Sequence, residues 1–265
     1  MDSSFHQHRW IAPKQRAVLF VLHGIFEHGG RYEHFASYLN AAGISVLSFD
    51  YRGHGRSPGE MGYIESWSSL VNDINDWVQW QKTEFDNLPQ FIFGHSLGGL
   101  LLVDYLSLYR PSFNGVILSS AALKVKEDLS PLLQKIAPIM AKIAPKLKTI
   151  KLDPGLISRD PAEVEKYRND RLIYHGRISA QTGNETLQAS KTIEQCFPGF
   201  DWPVLVLHGS DDGLTEPEGS RVFYEQIASD DKTLKLYEEY RHELLNELGR
   251  EVVLEDIRDW MTRRI

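Results

Sequence analysis

The chain has 265 residues, 42% of them hydrophobic, and a formal net charge of −7 at pH 7. That length and apolar content fit one large α/β domain with a sizeable core, and they exclude a disordered chain or a peptide-sized scaffold. The negative balance argues against a nucleic-acid binder. The single cysteine, Cys196, rules out an internal disulfide and suits a reducing compartment. No apolar signal core opens the sequence and no 18 apolar residues run uninterrupted, so the expectation is a soluble, cytoplasmic protein.

In chain order, short apolar runs alternate with helical patterns, the signature of a mostly parallel sheet covered on both faces. Ala17–Leu22 reads as a strand, residues 32–42 as a helix, and Ile44–Phe49 as the next strand before a Gly-rich loop over 50–62. A long amphipathic helix follows over 66–85, with Trp67, Leu70, Ile74, Trp77 and Val78 at helical spacing. Residues 90–93 read as a strand, 97–109 as a helix and 115–119 as a strand. The alternation resumes at 203–207, continues with a helix near 218–227 and a strand at 233–237, and closes with a helix over 244–261.

The interruption between, residues 121–198, is predicted to form a helical lid above the carboxyl ends of the strands, where open α/β folds bind ligands. Residues 1–120 and 199–265 would form the core. In residues 129–147 the apolar positions Leu129, Leu132, Leu133, Ile136, Met140, Ile143 and Leu147 share a helical face. Pro131, Pro138 and Pro145 recur every seven residues, which predicts two or three short helical pieces. Seven lysines against Glu127 and Asp128 give residues 124–151 a local balance of +5, so the rest of the chain sums to −12. A basic amphipathic stretch on an acidic chain fits transient docking on an anionic lipid or micelle surface, which would make the protein peripheral at the inner membrane surface. It also fits, and more simply, a helix whose apolar face packs on the domain while its lysines stay solvated.

The chemistry is carried by Gly94-His95-Ser96-Leu97-Gly98, a G-x-S-x-G nucleophile elbow with a strand before it and a helix after it. A serine hydroxyl needs a positioned base, and the base needs an orienting carboxylate. The strand over 203–207 leads into His208-Gly209-Ser210-Asp211-Asp212, and the count in Gly-Ser-x-Asp selects Asp212 over Asp211. After the last strand, the one histidine beyond His208 is His242. An acyl-transfer oxyanion requires two preorganised N–H donors. Leu97, directly after the nucleophile, would supply one. The turn His23-Gly24-Ile25-Phe26 would supply the other, from Ile25 or else Phe26. His23, His54 and His95 read as bracing residues, and no metal-ligand spacing appears, so neither metal nor cofactor is expected.

Together these motifs resemble the monoacylglycerol lipases and lysophospholipase-like enzymes of the α/β-hydrolase fold. The likeness is carried by His23-Gly24-x-x-Glu27-His28-x-Gly30-Arg31-Tyr32, Asp50-x-x-Gly53-His54-Gly55-x-Ser57, the elbow itself and Gly209-Ser210-x-Asp212. It extends to Leu156-Ile157-Ser158-Arg159-Asp160 and to Tyr167-x-Asn169-Asp170 within the interruption. The resemblance implies an acyl tunnel beneath the lid and a polar head-group pocket of Glu27, Arg31 and Tyr167. It implies a cofactor-free esterase cleaving monoacylglycerol through an acyl-enzyme on Ser96. A lysophospholipase or broad carboxylesterase is the sibling reading, and a non-catalytic binding protein of the same fold the distant one. The chain departs from the animal enzymes at Leu245, where they carry a second histidine, and this touches the head group rather than the hydrolytic chemistry.

Overall fold

The computed structural model of the protein describes residues 5–124 and 131–265. Seven strands form one sheet: β1 (Gln7–Trp10), β2 (Ala17–Leu22), β3 (Ile44–Phe49), β4 (Gln90–His95), β5 (Gly115–Ser119), β6 (Val204–Gly209) and β7 (Lys232–Tyr237). Their order is β1-β3-β2-β4-β5-β6-β7. The edge strand β1 runs antiparallel to β3, and every other pair is parallel.

Helices cover both faces, as a parallel sheet requires. Along β2 the side chains alternate: Val18, Phe20 and Leu22 join one core, Leu19 and Val21 the other. The first core is closed by α2 (Trp67–Glu84), α3 (Leu97–Tyr109) and α7 (Pro217–Gln226), through residues such as Trp77, Leu101 and Phe223. The second is closed by α1 (Glu33–Asn40) and α8 (Glu251–Thr262), through Phe35, Leu39, Ile257 and Trp260.

Between β5 and β6 lie α4 (Pro131–Ile143), α5 (Pro161–Asn169) and α6 (Ala180–Thr192). Here two expectations are corrected. The proline-spaced segment is one helix, not two or three pieces. Pro131 occupies its first position, where a missing N–H costs nothing, and Pro145 follows its end, so only Pro138 is interior. Leu129, Lys126, Glu127 and Asp128 lie outside the described residues, as do the side chains of Leu132, Leu133 and Lys135. The closing helix over 244–261 is also broken. A 3-10 turn at Leu244–Asn246 is separated from α8 by Gly249, whose φ of 81° suits glycine and interrupts the helix.

Candidate active site

Every residue singled out for catalysis lies just beyond the carboxyl end of a parallel strand: Ile25 after β2, Ser96 after β4, Asp212 after β6 and His242 after β7. The strands therefore deliver four sequence-distant loops to one edge of the sheet.

Ser96 has φ 52° and ψ −119°, the strained backbone of an elbow. Backbone hydrogen bonds pin it: Ser96 N–H donates to Ser119 O at 3.0 Å, and Ser96 O accepts from Gly99 N and Ala122 N at 3.0 Å and from Leu100 N at 3.2 Å. The flanking glycines allow the approach of strand and helix. A Cβ on Gly98 would sit 2.3 Å from Leu22 O, and one on Gly94 2.6 Å from Gly98 O. Leu97 opens α3, so its amide belongs to the first turn, where N–H groups are unsatisfied within the helix.

Asp212 is buried, with 1% of its surface exposed, whereas Asp211 faces solvent. Asp212 Oδ1 accepts from Leu214 N at 2.8 Å and Thr215 N at 3.0 Å, and Oδ2 accepts from Thr215 Oγ1 at 2.8 Å. His242 Nδ1 donates to Asp212 Oδ2 at 2.7 Å, which fixes the proton on Nδ1 and leaves Nε2 with its lone pair. His208 Nε2 stands 3.2 Å from the same carboxylate oxygen, while its Nδ1 bonds Ser220 Oγ at 2.7 Å. Burial would push the Asp212 carboxyl up, but His242 and His208 outweigh it and hold it far below the usual range. Burial would likewise lower His242, yet the Asp212 charge and hydrogen bond, with Glu243 and Glu27, raise it above an ordinary imidazole. The His242 ring lies 4.8 Å, centroid to centroid, from that of His95, the residue before Ser96.

The turn after β2 is equally constrained. Tyr51 N–H donates to His23 Nε2 at 3.1 Å, so His23 carries its proton on Nδ1 and donates it to Gly24 O at 2.8 Å. Burial drives this imidazole down to about 3, so it stays neutral. Gly24 N–H is taken by Glu27 Oε1 at 2.6 Å, which makes Ile25 the next amide in the turn. Phe26 has φ 68° although it is not glycine, and its carbonyl accepts from Tyr174 N at 3.0 Å. The segment between β5 and β6 thus holds the strained turn.

Glu27, Arg31 and Tyr167 do meet. Arg31 Nη1 donates to Glu27 Oε2 at 2.6 Å, and its Cζ lies 5.0 Å from the centre of the Tyr167 ring. Sequence reasoning missed Glu243, which takes two further bonds from Arg31 at 2.7 Å each, and Thr215 and His208 around the acid. Thr215, three residues after Asp212, fits a turn pattern that is legible in the sequence. Glu243 offered no local signal, because its partner is 212 residues away. Among the described residues, His6, His8 and Asp50 could in principle ligate a metal. Asp50, however, is already bonded by His8 Nε2, Gly29 N and Arg56 N.

Residues 13–249 match the family model described as serine aminopeptidase, S33. The chain belongs to that family. It is 33% identical over 250 residues to a monoacylglycerol lipase of Mycolicibacterium smegmatis, covering 94% of this chain and 89% of the relative. It is 33% identical over 254 residues to a monoglyceride lipase of Rattus norvegicus, covering 94% and 84%. The crystal structure of a Paleococcus ferrophilus monoacylglycerol lipase superposes with a TM-score of 0.88 at 31% identity, covering 98% of this chain and 99% of that one. The S33-family chain is therefore an α/β-hydrolase and a carboxylic ester hydrolase, in keeping with the elbow and the Asp212–His242 pair.

Proposed function

We propose that the enzyme cleaves single-chain acyl esters, foremost monoacylglycerol to fatty acid and glycerol, through an acyl-enzyme on Ser96. In the first half, His242 Nε2 takes the Ser96 Oγ proton as Oγ bonds the ester carbonyl carbon. The resulting oxyanion is held by the N–H groups of Ile25 and Leu97. The carbon–alkoxy bond then breaks as His242 gives its proton to the departing glycerol oxygen. In the second half, water loses a proton to His242 and attacks the acyl carbon. The fatty acid leaves as the proton returns to Ser96 Oγ.

The observation that carries the glycerol reading is the buried Glu27–Arg31–Tyr167 cluster, placed after the oxyanion turn. Hydroxyls entering an apolar cleft need charged and polar partners of this kind. We read residues 121–198 as a cap over the site. Within it, Ile139 is 57% exposed and Ile143 75%, in company with the exposed Ile150, Lys142 and Lys151. That surface suits contact with an anionic micelle or membrane, at which a cytoplasmic enzyme would meet its lipid. Among the described residues no helix is long and apolar enough to cross a membrane. Hydrolysis rates on 1-monoolein, lysophosphatidylcholine and triolein test the reading. Monoolein should turn over fastest, and faster turnover of lysophosphatidylcholine would contradict it.

A further inference from the structure

Glu243 directly follows His242, and its side chain is buried and held from several sides. Arg31 Nη1 and Nη2 donate to its two oxygens at 2.7 Å, and Asn246 Nδ2 donates to Oε2 at 2.8 Å. Its own N–H donates to Ile157 O at 2.8 Å. Arg31 is thereby gripped between Glu243 and Glu27, and Glu27 is itself fixed by Gly24 N and by Tyr32 Oη at 2.9 Å. Two buried carboxylates thus face one guanidinium, and the clamp carries one uncompensated negative charge.

The histidines and tyrosines around it do not cancel it while His242 is in the neutral form that acts as base. Burial would raise Glu27, but Arg31, His95 and His23 bring it to about 2, so it is ionised at neutral pH. Burial lowers His95 to about 4 and His23 to about 3, and also lowers His34, while it raises the phenols of Tyr32 and Tyr167. All five are uncharged at neutral pH. Asp212, beyond His242, adds a further negative charge. The leaving alcohol departs on this side, because His242 returns the proton to it. At an effective dielectric constant of about 20, a unit charge about 6 Å away changes an equilibrium constant about a hundredfold.

We propose that Glu243 is a positioning residue that determines specificity: it clamps Arg31 against Glu27 and leaves the alcohol end of the site net negative, so that esters of neutral or cationic alcohols are accepted and esters of anionic alcohols are rejected. This rests on the ester-hydrolase reading of the site, but not on glycerol being the alcohol.

The test compares kcat/KM for three octanoyl esters, of choline, glycerol and glycerophosphate, in the wild type, Glu243→Gln and Glu243→Asp. The wild type should hydrolyse the glycerophosphate ester at least about a hundredfold less well than the choline ester. Glu243→Gln removes that unit charge and should narrow the ratio about a hundredfold, chiefly through KM, whereas Glu243→Asp keeps the charge and should keep the ratio. Should Glu243→Gln fail to fold, the wild-type and Glu243→Asp ratios decide alone. Parity between the charged esters in the wild type would overturn the proposal. So would an equal slowing of all three by Glu243→Gln. Hydrolysis of the choline ester without the glycerol ester would overturn the glycerol reading and support this one.

Discussion

The loops beyond β4, β6 and β7 and the exposed side of α4 solve opposite problems. Around Asp212 and His242 nearly all is polar and buried, and both carboxylate oxygens are bonded from within the protein. Along α4 and the turn after it, apolar side chains such as Ile139 and Ile143 stand in solvent among exposed lysines. Even there the charges are not all idle: Lys146 pairs with Glu60 at 2.6 Å, and Lys148 bonds Tyr174 Oη at 3.0 Å. The first region is preorganised so that chemistry needs little rearrangement. The second leaves apolar side chains in solvent, the surface that the proposed function assigns to lipid contact. Substitutions should therefore act on the two regions in separable ways.

The largest effect belongs to the nucleophile. Ser96→Ala should lower kcat on any ester by about 10⁶-fold without loss of fold, as read by steady-state kinetics and circular dichroism. Asp212→Asn should cost about 10⁴-fold, because the imidazole loses the partner that sets its tautomer. The pH profile sharpens this further. His242 must be neutral to act as base, and its folded pKa is raised, so the acid limb of kcat/KM should lie above pH 6.5, with activity falling as pH drops below it. For stability the sign is opposite: the raised pKa favours the fold below about pH 6.5, and that contribution fades as pH rises through the folded value. A limb below pH 6 would contradict the geometry of the pair.

Gly98→Ala tests the elbow's backbone rather than its chemistry. The added Cβ meets Leu22 O at 2.3 Å and His23 O at 2.6 Å, so stability should fall by about 1–3 kcal/mol or more in denaturant unfolding. The smallest effect on the fold belongs to the other region. Ile143→Glu, at a 75% exposed position, should change stability by no more than about 0.5 kcal/mol. It should leave turnover of a short soluble ester unchanged while weakening co-sedimentation with anionic vesicles. Unchanged vesicle binding would remove the second region's half of the comparison.

What could be read in the sequence follows the same divide. Strands β2 to β6 were legible because a parallel sheet buried on both faces needs nearly continuous apolar runs, as in Ala-Val-Leu-Phe-Val-Leu of β2. The edge strand β1, Gln-His-Arg-Trp, has no such run and pairs only through β3, so nothing in its pattern marked it. The unity of α4 is not legible from proline spacing, because Pro131 opens the helix and Pro145 lies beyond its end, which leaves only Pro138 inside. The break before α8 turned on one glycine. For the candidate site, chain order and the count from Gly209 point to Asp212 and His242, which the fold pairs through a hydrogen bond. The contacts of Glu243, His208 and Thr215 depend on side chains meeting across loops, which no spacing rule encodes.

The most direct test of the account is labelling with a serine-directed fluorophosphonate, followed by mass spectrometry of the peptides. We expect a single adduct on Ser96, lost in Ser96→Ala and slowed by saturating 1-monoolein. An adduct elsewhere, or labelling of Ser96 that monoolein leaves untouched, would contradict it.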